Sequence, residues 1–126
     1  MKTAIKIFLF VNALGSLMVG LQGLFTTQII MDPVSIHLDN PSAIISIMAS
    51  YGGVNLIFAL FYIYAAFKDQ RSGLLLYVLY VSGFVLGRII GVAQHGMGNA
   101  FVMSWFVIES LFLALGVFFL RKTIRH

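Results

Sequence analysis

The chain has no cysteine and only two prolines among its 126 residues. The first absence excludes disulfides, thiolate metal sites and cysteine nucleophiles. Acid is scarce too: Asp32, Asp39, Asp69 and Glu109 are the whole supply, and charged residues together make up 10%. A soluble domain carries roughly a quarter charged residues. What fills the space instead is apolar. Hydrophobic residues reach 60%, and the mean hydropathy is +1.00. A water-soluble fold of this length could not hide so much apolar surface, so lipid must cover it. The length allows one domain at most, and the whole chain, 1–126, reads as a single transmembrane domain.

Four apolar segments, at about residues 5–30, 43–67, 74–93 and 100–120, take up nearly all of it. Each is close to the roughly 20 residues that carry a helix across about 30 Å of hydrocarbon. Neither proline falls inside a segment. Asp32-Pro33 and Asn40-Pro41 flank the first loop, residues 68–73 form the second, and residues 94–99 form the third. Asn40 followed by Pro41 reads as an N-cap and first helical position for segment two. Met1 to Lys6 resembles the basic start of a signal peptide, but apolar sequence continues far beyond a signal's core. Segment one is therefore expected to be a span.

The net charge of +4 gives no nucleic-acid patch, because the basic residues sit at segment ends. Lys2 and Lys6 precede segment one, Lys68 and Arg71 lie between two and three, and Arg121, Lys122 and Arg125 follow four. The first and third loops have no lysine or arginine. The positive-inside rule then puts both termini in the cytoplasm. With short connections, the expected fold is an all-α, up-down-up-down bundle of four transmembrane helices.

Two spans carry an ionisable residue at membrane depth, Arg88 and Glu109. Such a charge costs about 3 kcal/mol on insertion scales, so it needs a partner. A carboxylic acid in lipid can shed its charge by taking up a proton; a guanidinium cannot. Glu109 is the only acid inside a span and so the default partner of Arg88. At about 1.5 Å per residue, Arg88 lies about 7 Å from the outer end of its helix and Glu109 about 13 Å.

Helical phase gathers further polar groups. Tyr77, Tyr80, Phe84, Arg88, Gly91 and His95 share one stripe of segment three, with Leu75, Leu79, Leu86 and Ile90 opposite. Tyr51, Asn55, Phe58 and Tyr62 share a face of segment two. Asn12, Ser16, Val19, Gly23 and Thr26 share one on segment one, with Gln22 at its margin. Trp105 lies near Glu109 on segment four. Arg88, Glu109, Tyr51, Asn55, Gln22, His95, Tyr80 and Trp105 are thus the candidate ligand-binding residues. Gly83, Gly87 and Gly91 form a ladder suited to close helix packing, within the chain or with a second copy. Gly52 and Gly53 offer close packing or a local distortion.

No span carries the two-histidine-plus-carboxylate spacing of a metal site, and His37 with Asp39 is too little for one. There is no phosphate-cradling loop and no nucleophile elbow. No catalytic residue, metal or cofactor is indicated.

Tyr51-Gly52-Gly53-Val54-Asn55, Gly87-Arg88-Ile89-Ile90-Gly91 and Glu109 together resemble a family of small bacterial four-helix membrane proteins known only as a domain of unknown function. The resemblance covers essentially the whole chain and implies a bacterial inner-membrane protein. It implies no activity. Small multidrug exporters are similar in length and span count, but their key glutamate is on the first span, which here holds only Asn12 and Gln22.

Two functions fit these residues. One is binding a small amphipathic or anionic ligand, such as a lipid or quinone head group, in a polar pocket in the outer half of the bundle. The other is a non-catalytic accessory subunit or homo-oligomer, meeting a membrane partner through the glycine ladder and aromatic faces.

Overall fold

The computed structural model describes residues 1–124. Arg125, whose charge counts toward the expected orientation, lies outside the described residues. Among the described residues there is no strand. Four helical stretches are long and apolar enough to cross a membrane: Lys2–Phe25, Pro41–Lys68, Gln70–His95 and Ala100–Thr123. The chain divides into two compact units, residues 1–70 and the described residues from 71 onward.

The first unit opens with α1, Lys2–Phe25. The sequence implies an unbroken segment to residue 30; the helix instead stops at Thr26, whose backbone leaves helical geometry at φ −137°, ψ 56°. The cause is local. The hydroxyls of Thr26 and Thr27 bond back to the carbonyls of Gln22 and Gly23, at 3.2 and 2.8 Å. Such back-bonding bends and weakens a helix. A short α2, Thr27–Met31, and a 3-10 turn, Asp32–Val34, follow.

The first loop is held by one side chain. Gln28 donates to Asp32 Oδ1 at 2.7 Å and to the Ile36 carbonyl at 2.8 Å, and it accepts from the Leu38 N–H at 2.8 Å. Ser35 supplies the reversal in a left-handed conformation, φ 62°. Asn40 then caps α3, Pro41–Ile47, by accepting from the Ala43 N–H at 2.8 Å, with Pro41 in the first turn.

α3 runs through a π-helical turn, Met48–Gly53, into α4, Val54–Lys68. α1 packs along this stretch. Ile5, Phe8, Leu9, Ala13, Gly20 and Gly23 are buried on α1, facing Gly52, Asn55, Ala59, Tyr62, Ala65 and Ala66. The α1 positions recur at three- and four-residue intervals, one stripe of a helix. The partner face is mostly glycine and alanine, so the backbones approach closely. In lipid, where apolar burial gives little drive, that contact is what holds helices together. Near the chain start, Lys6 Nζ lies 5.0 Å from the Phe67 ring centre, and Phe10 meets the same ring edge-on at 5.4 Å. Gln70 donates to the carbonyls of Lys2 and Ala66 at 3.0 and 3.1 Å.

The six-residue second loop read from residues 68–73 is not there. α4 ends at Lys68 and α5 begins at Gln70, so Asp69 alone makes the connection, its backbone out of helical geometry at φ −158°, ψ 74°. Polar residues at a span end served as helix rather than loop because their side chains can reach out of the hydrocarbon from a helical backbone.

The second unit, from Arg71 onward, is an antiparallel pair formed by α5, Gln70–His95, whose first residue belongs to the first unit, and α6, Ala100–Ile124. Gly96, at φ +83°, ends α5 and donates its N–H to the Val92 carbonyl at 2.9 Å, an αL cap. Asn99 starts α6 by accepting from the Val102 N–H at 2.9 Å.

Candidate functional site: the Arg88 and Glu109 pair

Polar side chains inside these helices turn first to their own backbone. Asn12 donates to the Phe8 carbonyl, Asn55 to that of Tyr51, Ser82 to that of Val78 and Ser110 to that of Phe106, each four residues back. A hydroxyl or amide can meet its need this way without leaving its helix. A guanidinium cannot, since a fixed charge needs a counter-charge.

Arg88 on α5 finds one on α6. Its Nε donates to Glu109 Oε1 at 2.5 Å, and its Nη2 to Oε2 at 3.4 Å. This side-on, two-point contact is the geometry that makes arginine–carboxylate pairs strong. The side chains are 25% and 17% exposed, so the pair is largely withdrawn from its surroundings but not sealed. The helix ends explain how it closes. α5 runs to His95, two residues beyond the expected end, so Arg88 lies about 10 Å from its helix end and Glu109 about 13 Å from the start of α6. The depth gap is about 3 Å, within reach of two long side chains.

Below the pair, toward the C-terminal end of α6, the helices touch at Gly116. A Cβ there would stand 3.1 Å from the Tyr77 ring, which is itself buried, and 3.3 Å from Val78. Gly116 thus lets the Tyr77 ring come close to α6.

The other candidates in this unit have different neighbours. Tyr80 packs edge-on against Phe84 at 5.1 Å. Trp105 is 42% exposed and packs against Phe101 at 6.3 Å. His95 is exposed at the end of α5. Within the α5–α6 unit, no described residue comes within 4 Å of a Cβ placed at Gly83, Gly87 or Gly91. The ladder therefore makes no close approach to α6; Gly116 does.

The remaining candidates belong to the first unit. Asn55 is buried, with its amide on the Tyr51 carbonyl at 2.8 Å. Tyr51 is half-buried inside the π turn, and Gln22 is exposed. Gly52 is the tightest point of the unit, against Leu24 and Gly23, while nothing approaches Gly53. Sequence reasoning passed over Gly20 and Gly116 as packing positions and grouped Gly23 with polar residues. The available signal was Gly20-x-x-Gly23 facing a second small-residue stretch on the next span.

Four helices of this length and hydropathy make the chain an all-helical, multi-pass membrane protein. It belongs to the family described as Domain of unknown function (DUF4345), whose model matches residues 4–120. No curated protein and no solved structure matches it.

Proposed function

We propose that the protein binds the head group of a small anionic or amphipathic molecule, a lipid or a quinone-like compound, at Arg88. The observation that carries this is the one-sided use of the guanidinium. Glu109 occupies the Nε and Nη2 edge, and Nη1 has no partner within the α5–α6 unit. A quarter of the side chain is open. A second anion can dock end-on while Glu109 keeps the arginine oriented. The pair is then a positioned receptor rather than only a register lock.

The same proposal assigns the protein to a bacterial inner membrane, with both termini cytoplasmic and Arg88 in the outer half. Its support is the resemblance carried by the Gly87–Gly91 and Tyr51–Asn55 motifs, and the absence of lysine and arginine from residues 31–40 and 94–99.

Native mass spectrometry of the protein extracted with its own lipids tests the binding. The unaltered chain should carry an anionic amphiphile that Arg88→Gln lacks and that Glu109→Gln holds at least as well, its competing carboxylate gone. The same bound molecules on all three forms would overturn the reading.

A second reading, a homo-oligomer or accessory subunit, is favoured by the glycine ladder, which is unfilled within its own unit. Gly87→Leu should then lower the mass of the native assembly. An unchanged mass would remove it.

A further inference from the structure

The last turns of α6 carry positive charge that no acidic side chain balances among the described residues of their unit. Glu109 is the only acid in residues 71–126, and Arg88 takes it. Arg121 and Lys122 lie twelve and thirteen residues further along, about 18 Å away. Beside them is a concavity of about 350 Å³ lined by Ala114, Val117, Phe118, Arg121 and Lys122. These positions recur at three and four residues, so they form one stripe of α6. Ala114 leaves room at one end. Phe118 forms a wall, and its ring centre lies 5.4 Å from Lys122 Nζ, which anchors the ammonium at the other end.

We propose that this groove holds one acidic phospholipid. Its phosphate sits on Arg121 and Lys122, and an acyl chain runs along Ala114, Val117 and Phe118. The dimensions agree. From Ala114 to Lys122 is about 12 Å, close to the roughly 15 Å of one leaflet's hydrocarbon. The charge agrees as well. The helix C-terminus presents about half a negative charge, which opposes an anion, but two full positive charges outweigh it. A zwitterionic head group would bring its own cation against Arg121 and Lys122 and gain much less. The site is separate from Arg88 in position and does not depend on it.

The test uses the full chain in a non-ionic detergent, titrated with phosphatidylglycerol, phosphatidylcholine or inorganic phosphate, with bound molecules counted by native mass spectrometry. One phosphatidylglycerol should bind in preference to phosphatidylcholine, and inorganic phosphate should not displace it. Arg121→Gln with Lys122→Gln should weaken it about thirtyfold, the effect of two basic contacts. The swapped variant, Arg121→Lys with Lys122→Arg, keeps both charges and should stay within about threefold. Ala114→Phe, which fills the groove and leaves the charges, should also weaken it. Arg88→Gln should leave this phosphatidylglycerol in place, removing at most the separate molecule held at Arg88, so the two sites are counted apart. Equal binding of the two phospholipids overturns the proposal. So does displacement by inorganic phosphate, or undiminished binding by the double glutamine variant.

Discussion

A methyl carbon on Gly23 would stand 2.6 Å from the backbone nitrogen of Gly52 and 2.7 Å from its Cα. Side chains do not approach that closely, and the obstacle is backbone rather than a yielding side chain. Gly20 is in the same position against the Leu56 nitrogen, at 2.8 Å. Gly23→Ala and Gly20→Ala should each destabilise the first unit by about 1–3 kcal/mol, the range for overpacking. Gly15→Ala on the same helix meets nothing within 4 Å. It should be neutral or gain up to about 1 kcal/mol of helix propensity. Melting temperatures in one detergent give the comparison. Equal losses at positions 15 and 23 would mean that α1 does not seat on the π turn.

The second unit allows a matching test. Gly116→Ala pushes a methyl against the Tyr77 ring and should cost about 1 kcal/mol, while Gly87→Ala meets nothing in α6 and should not. Near-ultraviolet circular dichroism of the tyrosines should change for the first variant only. A large loss at Gly87 would reveal a neighbour beyond α6.

Arg88 and Glu109 should be energetically coupled. Arg88→Met leaves an acid that can become neutral. Glu109→Gln leaves a fixed positive charge without its carboxylate. Removing one partner of a buried pair costs about 3–5 kcal/mol, and the partial exposure here brings the expected loss for Glu109→Gln to about 1–3 kcal/mol. Arg88→Met should cost less, and the double variant should recover part of the Glu109→Gln loss. Strict addition of the two single losses would show that the groups do not interact.

Gln28→Leu should loosen the first loop without unfolding the helices. It removes an acceptor for the Leu38 N–H and donors to Asp32 and Ile36. A net loss of about 1–2 kcal/mol is expected for three partly exposed bonds. Hydrogen exchange should quicken at Leu38 and leave α4 unchanged. Unaltered exchange at Leu38 would mean the loop is held by something else.

Orientation can be read by labelling, since the chain has no cysteine of its own. His37→Cys is exposed in the first loop and avoids the left-handed backbone of neighbouring Ser35; Asp69→Cys is exposed at the α4–α5 connection. An impermeant thiol reagent added outside intact cells should label position 37 and not position 69. The reverse pattern would turn the protein over in the membrane.

Much of the fold is legible because lipid demands so little variety. A span must be apolar for about 20 residues, and a helix is the one conformation that satisfies its backbone there. Asn40-Pro41 announces its cap for the same reason caps do in water. The Arg88–Glu109 contact has a sequence signal too: an arginine within a span and, on the next helix at similar depth, the only acid within a span. What stayed hidden depends on a few dihedral angles. Thr26 breaks α1 through hydroxyls that bond backward, and nothing in apolar periodicity records that. Residues 68–73 are polar enough for a loop, yet all but Lys68 and Asp69 belong to α5. The glycines divided by neighbour, not by pattern. Gly83, Gly87 and Gly91 form the most regular series, while the irregular Gly20, Gly23, Gly52 and Gly116 make the close approaches.

The π turn has a consequence for chain length. A π turn holds one residue more than the α turn it replaces. The second span therefore behaves as a regular helix with a single residue inserted between Met48 and Gly53. Deleting exposed Ala49 or Ser50 would let the turn close into ordinary α-helix. Pro41 to Ile47 on one side, and Asn55, Ala59, Tyr62 and Ala66 on the other, would each keep their facing. The same deletion at exposed Leu60 would swing everything beyond it by about 100° and carry Tyr62, Ala65 and Ala66 off α1. Within this span, a chain one residue shorter fits the same packing only if the residue is lost from the six of the π turn.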